Sequence, residues 1–110
     1  MVIFTRTYDL LTWLLPVTNR FPRAQRHTVT ARLLNSAFEL REELEAANRR
    51  RGGARQDRLL LADEALGRVR LYWRLARQWG WTSGGQYEHG ARYLEEIGKL
   101  LGGWLKTVPA

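Results

Sequence analysis

The sequence contains no cysteine, and it has no apolar run long enough to cross a membrane. Without cysteine the chain forms neither disulfides nor thiolate metal sites, which suits a reducing cytosol. The apolar stretch "LLTWLLPV" follows Asp9 and ends without a small-residue cleavage site. A bilayer span needs about 20 apolar residues. We therefore expect a soluble, cytoplasmic protein that does not bind a membrane.

Lysine is nearly missing as well, since only Lys99 and Lys106 occur. Arginine supplies the remaining positive charge, and Lys plus Arg total 18 against 11 Asp plus Glu, for a net charge of +7. The planar guanidinium suits phosphate, and an excess of positive charge favours a polyanionic partner. A GC-rich genome would also favour arginine codons, but codon usage does not explain the excess of basic over acidic residues.

Strand signals are nearly absent, since no alternating run of β-branched residues and no Asn-Gly or Asp-Gly turn occurs. Apolar residues at helical spacing appear in four segments instead. We predict one domain over residues 1–110, with helices at residues 4–18, 22–48, 57–80 and 83–106. Four amphipathic helices with short connections favour an all-α, up-down-up-down four-helix bundle.

The predicted helix faces follow from that spacing. In the first helix, the shared face consists of Phe4, Tyr8, Leu11 and Leu15. The stripes of the other helices are Leu33, Ala37, Leu40, Leu44 and Ala47, then Leu59, Ala62, Leu66, Val69, Trp73 and Ala76, and finally Leu94, Ile97, Leu101 and Trp104. The third stripe is widened by Leu61, Ala65, Tyr72, Leu75 and Trp79. These residues are the expected core.

Local signals predict the helix ends. Pro22 suits the first turn of the second helix, and Asp57 suits the N-cap of the third. Gly80 closes the third helix, and Thr82 or Ser83 caps the fourth.

The fourth helix contains an unusual number of glycines, with Gly90, Gly98, Gly102 and Gly103 within or near it. Each costs about 0.5–1 kcal/mol relative to alanine. We expect a neighbouring backbone to approach this helix closely.

No enzyme signature is present. The sequence has no Gly-x-x-x-x-Gly-Lys phosphate loop and no Gly-x-Ser-x-Gly element. His27 and His89 lie in different segments and show no metal-ligand spacing. We therefore predict no catalytic residues, no metal site and no cofactor.

The candidate nucleic-acid-binding residues are three arginine clusters. These are Arg20, Arg23 and Arg26 before the second helix, Arg49, Arg50 and Arg51 in the connection to the third, and Arg70, Arg74 and Arg77 along the third. The last cluster is one helical stripe whose like charges repel. Either an anionic partner or the glutamates of the second helix would offset that repulsion, and the sequence leaves both open. The first two clusters lie at opposite ends of the predicted bundle, which suits a long polyanion.

The sequence contains five tryptophans. Trp73 belongs to the core stripe, whereas Trp13, Trp81 and Trp104 lie near helix ends, where partial exposure would mark a partner surface. A single bundle of this size also buries limited apolar surface. We expect a homo-oligomer.

Three stretches carry a family resemblance, namely "TYDLLTWLLPVTNRFPRAQR", "VRLYWRLARQWGW" and "YLEEIGKLLGGWLK". Phe21-Pro22-Arg23 and the run from Ile97 to Lys106 are the most specific pieces. Over residues 7–106 the chain resembles the accessory variability determinant (Avd-like) proteins of diversity-generating retroelements. A wider group of relatives is the four-helix proteins encoded in intervening sequences of ribosomal RNA genes.

The resemblance implies a non-catalytic accessory protein that assembles as a basic pentameric barrel. Such proteins bind the element's reverse transcriptase and nucleic acid, and they support mutagenic copying of template RNA into cDNA. The resemblance extends to the basic character of Arg23, Arg26, Arg70, Arg74 and Arg77. The alternative that the residues leave open is an adaptor that binds only a protein partner.

Overall fold

Four α-helices and one short 3₁₀ turn make up residues 1–109, the part of the chain that the computed structural model describes. They are α1 (Val2–Thr18), the 3₁₀ turn (Arg23–Gln25), α2 (Val29–Asn48), α3 (Gly52–Gln78) and α4 (Gly84–Thr107). Both α1 and α3 contact α2 and α4, so the helices close into a bundle with extents of 43 × 25 × 20 Å. The predicted all-α four-helix bundle is confirmed.

The up-down order gives the bundle two distinct ends. The α1–α2 and α3–α4 connections lie together at one end, which we call the loop end, where the rings of Phe21 and Trp81 are 5.4 Å apart. The α2–α3 connection, Arg49 to Arg51, lies at the other end, which we call the tip end. The arginine clusters before α2 and after α2 are therefore separated by the length of the bundle.

The core contains the predicted stripes of α2, α3 and α4, all of whose members are buried. The predicted face of α1 is wrong, because Tyr8 and Leu15 are 61% and 50% exposed while the buried residues include Leu10 and Leu14. Both faces of α1 show helical spacing, since the helix is apolar nearly all round. Thr7 joins the buried face by donating its hydroxyl to the Ile3 carbonyl at 2.9 Å.

Two helices begin elsewhere than predicted. Pro22 adopts φ −54° and ψ 130°, so it leads into the 3₁₀ turn and α2 begins only at Val29. α3 begins at Gly52, before the predicted cap Asp57, because the positive φ of 58° at Gly52 lets the chain reverse at once.

The α3–α4 connection forms as predicted. Gly80 has a φ of 76°, and the amides of Gly80 and Trp81 donate to the carbonyls of Arg77 and Ala76 at 3.1 and 2.9 Å, which is a Schellman motif. Ser83 then begins α4 with a capping box, in which its hydroxyl accepts from the Gln86 amide at 3.1 Å.

The prediction that a neighbouring backbone approaches the α4 glycines is wrong, because side chains occupy the space at two of them. Gly90 lies against the Trp73 indole, and Gly98 lies against the Arg70 guanidinium. Nothing lies within 4 Å of a Cβ built on Gly102 or Gly103. The prediction of a close neighbour is wrong for those two within the described chain.

The charged outward side of α3 also carries several large apolar side chains. Leu61 and Trp79, which were predicted to widen the core stripe, are 43% and 48% exposed. Leu60 and Leu71 on the same helix are also exposed. The four-helix packing leaves this face without an intramolecular partner.

Candidate nucleic-acid interface

The nine predicted arginines share one electrostatic property. Within residues 1–109 none of them forms an ion pair with a carboxylate. All except the half-buried Arg50 are exposed. Their positive charge is therefore not engaged in an ion pair within residues 1–109.

Seven of the eleven carboxylates pair with other basic residues instead. The pairs are Arg6 with Asp9 and Glu96, Arg41 with Glu45, Arg58 with Glu43, Arg68 with Glu39, Arg92 with Glu88, and Lys99 with Glu95. Most of these pairs link helix neighbours or tie one helix to the next. The molecule thus sorts its arginines into an internally paired set and an unpaired set.

The structure excludes one of the two alternatives that the sequence left open for the α3 stripe, namely ion pairs with the α2 glutamates. The α2 glutamates Glu39 and Glu43 reach α3, but they bind Arg68 at 2.9 Å and Arg58 at 3.2 Å. Arg70 and Arg77 lie on the opposite flank of α3 and contact α4 and its connection. No α2 carboxylate offsets the charge of this stripe.

Arg70 and Arg77 also have a packing role. Nη2 of Arg70 donates to the Leu94 carbonyl at 3.3 Å, and Nη1 of Arg77 donates to the Thr82 carbonyl at 3.2 Å. Arg74, between them, has no hydrogen-bond partner among residues 1–109 and borders a groove of about 270 Å³ between α3 and α4. A carbonyl leaves the guanidinium charge intact, so the stripe stays positive.

The tip end uses some of its arginines to cap α2. Nη1 of Arg50 donates to the Ala46 carbonyl at 2.8 Å, and Nε of Arg55 donates to the Ala47 carbonyl at 3.0 Å. These carbonyls end α2, where positive charge complements the helix dipole. Arg49 and Arg51 make no hydrogen bond through their side chains within the described chain, so they are the free charges of this end.

The loop end holds a basic pocket. Arg23 and Arg26 line a cavity of about 230 Å³ together with Phe21, Pro22 and Thr30. Neither guanidinium has a partner within residues 1–109. The first turn of α2, which begins beside this pocket, contains no acidic residue. The pocket therefore combines two free guanidinium groups with an uncompensated helix N-terminus.

An aromatic row next to this pocket was missed by the sequence analysis. The Trp79 and Trp81 rings are 5.0 Å apart, and Phe21 continues the row beyond Trp81. Trp79 was predicted to be core, whereas it is the most exposed tryptophan. Trp104 is buried, against the predicted partial exposure, while Trp13 and Trp81 are half-buried. The Trp-Gly-Trp spacing was the available signal, because Gly80 turns the chain between the two rings.

A comparison with protein-family models matches residues 1–108 to one described as bAvd-like. The chain belongs to the bAvd-like family. Residues 1–108 include every candidate arginine, so the match extends beyond the three stretches that carried the resemblance. A comparison with curated proteins found no match.

A solved structure shows the same fold. It is the crystal structure of a protein of unknown function from the S23 ribosomal protein family of Bacteroides thetaiotaomicron VPI-5482. The bAvd-like chain superposes on it with a TM-score of 0.87 over 96% of each chain, at 17% sequence identity. At this identity the likeness establishes the bundle fold and nothing further.

Other chemistry is sparse on this bAvd-like bundle. Residues 1–109 contain no cluster of three or more His, Cys, Asp or Glu side chains that could hold a metal ion. His89 stacks near Trp13 at 4.7 Å, and His27 is exposed. The Glu96 carboxylate, through its hydrogen bond and charge, raises the pKa of the Arg6 guanidinium above its ordinary value. None of the helices within residues 1–109 has the length and apolarity that a bilayer crossing requires.

Proposed function

We propose that this bAvd-like chain is a non-catalytic accessory protein of a diversity-generating retroelement. In this role it binds the reverse transcriptase and the template RNA or cDNA in the cytoplasm and supports mutagenic cDNA synthesis. Membership of the bAvd-like family supports the accessory role. The nucleic-acid half of the proposal depends on the charge distribution.

The observation that carries the proposal is the set of nine arginines without carboxylate partners among residues 1–109. They occur at the loop end, at the tip end and along α3. A phosphate backbone contacts such a set with release of condensed counterions, whereas a small anion would engage only one cluster. The spread of free charge thus favours a polyanion over a small phosphate ligand.

A salt titration tests the electrostatic part. Fluorescence anisotropy of a labelled RNA should report an affinity that falls by about 10³-fold or more between about 50 and 200 mM salt. The double variant R23A/R26A should bind more weakly and with a shallower salt slope. R58A/R68A is the matched control, because both arginines are already paired with α2 glutamates. An affinity that does not depend on salt would contradict the proposal.

Self-association is the second part of the proposal, with a pentamer as the expected assembly. The exposed Leu60, Leu61 and Leu71 on the outer face of α3 support it, because apolar surface of this kind gains from burial against another copy. Light scattering coupled to size exclusion should give the mass of a pentamer. A L61E/L71E variant should give a smaller mass, and a monomeric wild-type chain would contradict this part.

The rival function is an adaptor that binds only a protein partner, and the same exposed leucines give it some support. Charge reversal of Arg74, whose guanidinium has no partner among residues 1–109, separates the two without disturbing a packing contact. Under our proposal the R74E variant binds RNA more weakly. An adaptor would lose its pulldown of the reverse transcriptase and show no RNA retention to begin with.

A further inference from the structure

We infer that the loop end of the bundle binds unpaired nucleotides, with a base stacked on the Trp79 indole and a neighbouring phosphate in the Arg23–Arg26 pocket. The inference rests on the proposed function and narrows it, because it specifies the single-stranded state of the nucleic acid at one end of the molecule. Three observations carry it.

The first observation is the exposed aromatic row. Trp79 is 48% exposed, although tryptophan is normally among the most buried residues on average. Its position is fixed, since its amide donates to the Leu75 carbonyl at 2.9 Å and the Schellman motif follows at once. Trp81 supports it from one side, and Phe21 packs behind Trp81 in the core. An indole held in place and open to solvent is a stacking surface for a base.

The second observation is the basic pocket that shares Phe21 with this row. Arg23 and Arg26 line it without carboxylate partners within residues 1–109. Thr30 also lines it and is 7% exposed, and its hydroxyl is buried without a hydrogen-bond partner. Two guanidinium groups without carboxylate partners are suited to a phosphate oxygen. Phe21 lines the pocket and packs against Trp81, which in turn lies against Trp79. In the proposed complex, one strand passes from the pocket to the indole and places a phosphate in the first site and a base in the second.

The third observation is the contrast with the tip end. That end also presents free charge, through Arg49 and Arg51, but its tryptophan is Trp104, which is buried. The Phe4 ring meets Trp104 edge-on at 6.1 Å, and the Arg55 guanidinium lies 5.8 Å from its ring centroid. No ring remains free there for stacking. The tip end is suited to backbone phosphates, paired or unpaired, whereas the loop end is suited to bases that have left a duplex.

The partner is therefore a single-stranded segment rather than a duplex. Bases inside a duplex are stacked on each other and cannot reach Trp79. The other occupant to consider is a second copy of the chain, since an exposed tryptophan is also typical of protein–protein interfaces. Charge favours nucleic acid at this end, because Arg23 and Arg26 attract phosphate, whereas a second copy of the chain carries a net charge of +7.

The test compares two labelled probes of about 12 nucleotides, one an unstructured base-bearing strand and the other an abasic strand with the same phosphates. The wild-type protein should bind the base-bearing probe about 5- to 150-fold more tightly. W79A should lose most of that preference while its affinity for the abasic probe stays unchanged. W79F should keep the preference, since it retains a ring, and it shows that the site tolerates substitution.

The matched control is R49A/R51A at the tip end. This variant should lower the affinity for both probes by the same factor and leave the ratio of the two affinities unchanged. Full preference for bases in W79A would overturn the inference, as would a change in the mass of the W79A assembly, which would place Trp79 between copies. In either case, salt-dependent binding of the abasic probe would still support the proposed function. Absence of binding to both probes by the wild-type protein would contradict the proposed function itself.

Discussion

Gly90 lies so close to Trp73 that a Cβ atom built on the glycine would come within 2.6 Å of the indole. The same indole donates from Nε1 to the Tyr87 carbonyl at 3.0 Å, one turn earlier on α4. The glycine thus lets the largest buried side chain of α3 lie against the backbone of α4. This contact fixes how far apart the two helices stand and where the Arg70–Arg77 stripe meets α4.

Substitution of Gly90 by alanine should destabilise the bundle. The new methyl group forces the Trp73 ring to shift in a packed core, which costs about 1–3 kcal/mol and exceeds the gain in helix propensity. Urea unfolding followed by circular dichroism measures the change. Gly102→Ala is the control on the same helix, since nothing lies within 4 Å of its Cβ, and it should stabilise by about 0.5–1 kcal/mol. Equal effects of the two variants would contradict the Trp73 contact.

Removal of the Ser83 hydroxyl should weaken the start of α4. The Ser83→Ala variant leaves the Gln86 amide without its acceptor, and such caps contribute about 1 kcal/mol. The urea midpoint should fall with an unchanged slope. Ser83→Thr or Ser83→Asp should restore most of the loss, because both side chains can accept the same hydrogen bond. Failure of both to restore stability would show that the cap is not the cause.

Arg74 and Arg68 lie on the same helix, but only Arg68 forms an ion pair. Variants of the two therefore compare an unpaired arginine with a paired one. R74A should leave stability within about 0.5 kcal/mol, because its guanidinium has no partner among residues 1–109. It should also reduce the salt slope of RNA binding by about one unit. R68A breaks the 2.9 Å pair with Glu39 and should leave the salt slope nearly unchanged. A larger slope change in R68A than in R74A would contradict the division into paired and unpaired arginines.

The pair of Arg6 and Glu96, at 2.8 Å, gives a prediction on pH. Because the pKa of Arg6 is raised in the folded state, protonation of its guanidinium favours the fold, and this contribution is fully present from neutral pH up to the ordinary arginine pKa. That stabilisation is lost only as pH rises through the raised pKa, in strongly alkaline solution. The difference in urea midpoint between the wild-type protein and R6Q should stay constant from about pH 7 to about pH 10. A difference that shrinks over this range would contradict the assignment, and added salt should reduce it at any pH.

Helical spacing predicted the core of α2, α3 and α4 because each of these helices has one apolar face and one charged face. It failed for α1, where Tyr8 and Leu15 compete with Leu10 and Leu14 on a helix that is apolar nearly all round. Spacing alone cannot choose between two apolar faces. It also placed Leu61 and Trp79 in the core, although the inward side of α3 was already filled by its regular stripe.

The candidate site, too, could be predicted from the sequence only in part. The sequence identified where the arginines lie along the chain and at which end of the bundle each cluster falls, since that follows from helix order. It could not show that Glu39 and Glu43 pair with Arg68 and Arg58, because a pair depends on which flanks of two helices face each other. The pocket beside Phe21 and the Trp79–Trp81 row depend on how two separate connections meet, and no local pattern encodes that meeting.

The sequence by itself determined the helical class, the number of helices, the excess of positive charge and its three clusters, because these depend on residue type and local periodicity. The tertiary structure alone decided which guanidinium groups remain free and which indole reaches solvent. Those properties arise when helices distant in sequence are packed at fixed rotations about their axes, and rotation determines which charge finds a partner and which ring stays outside.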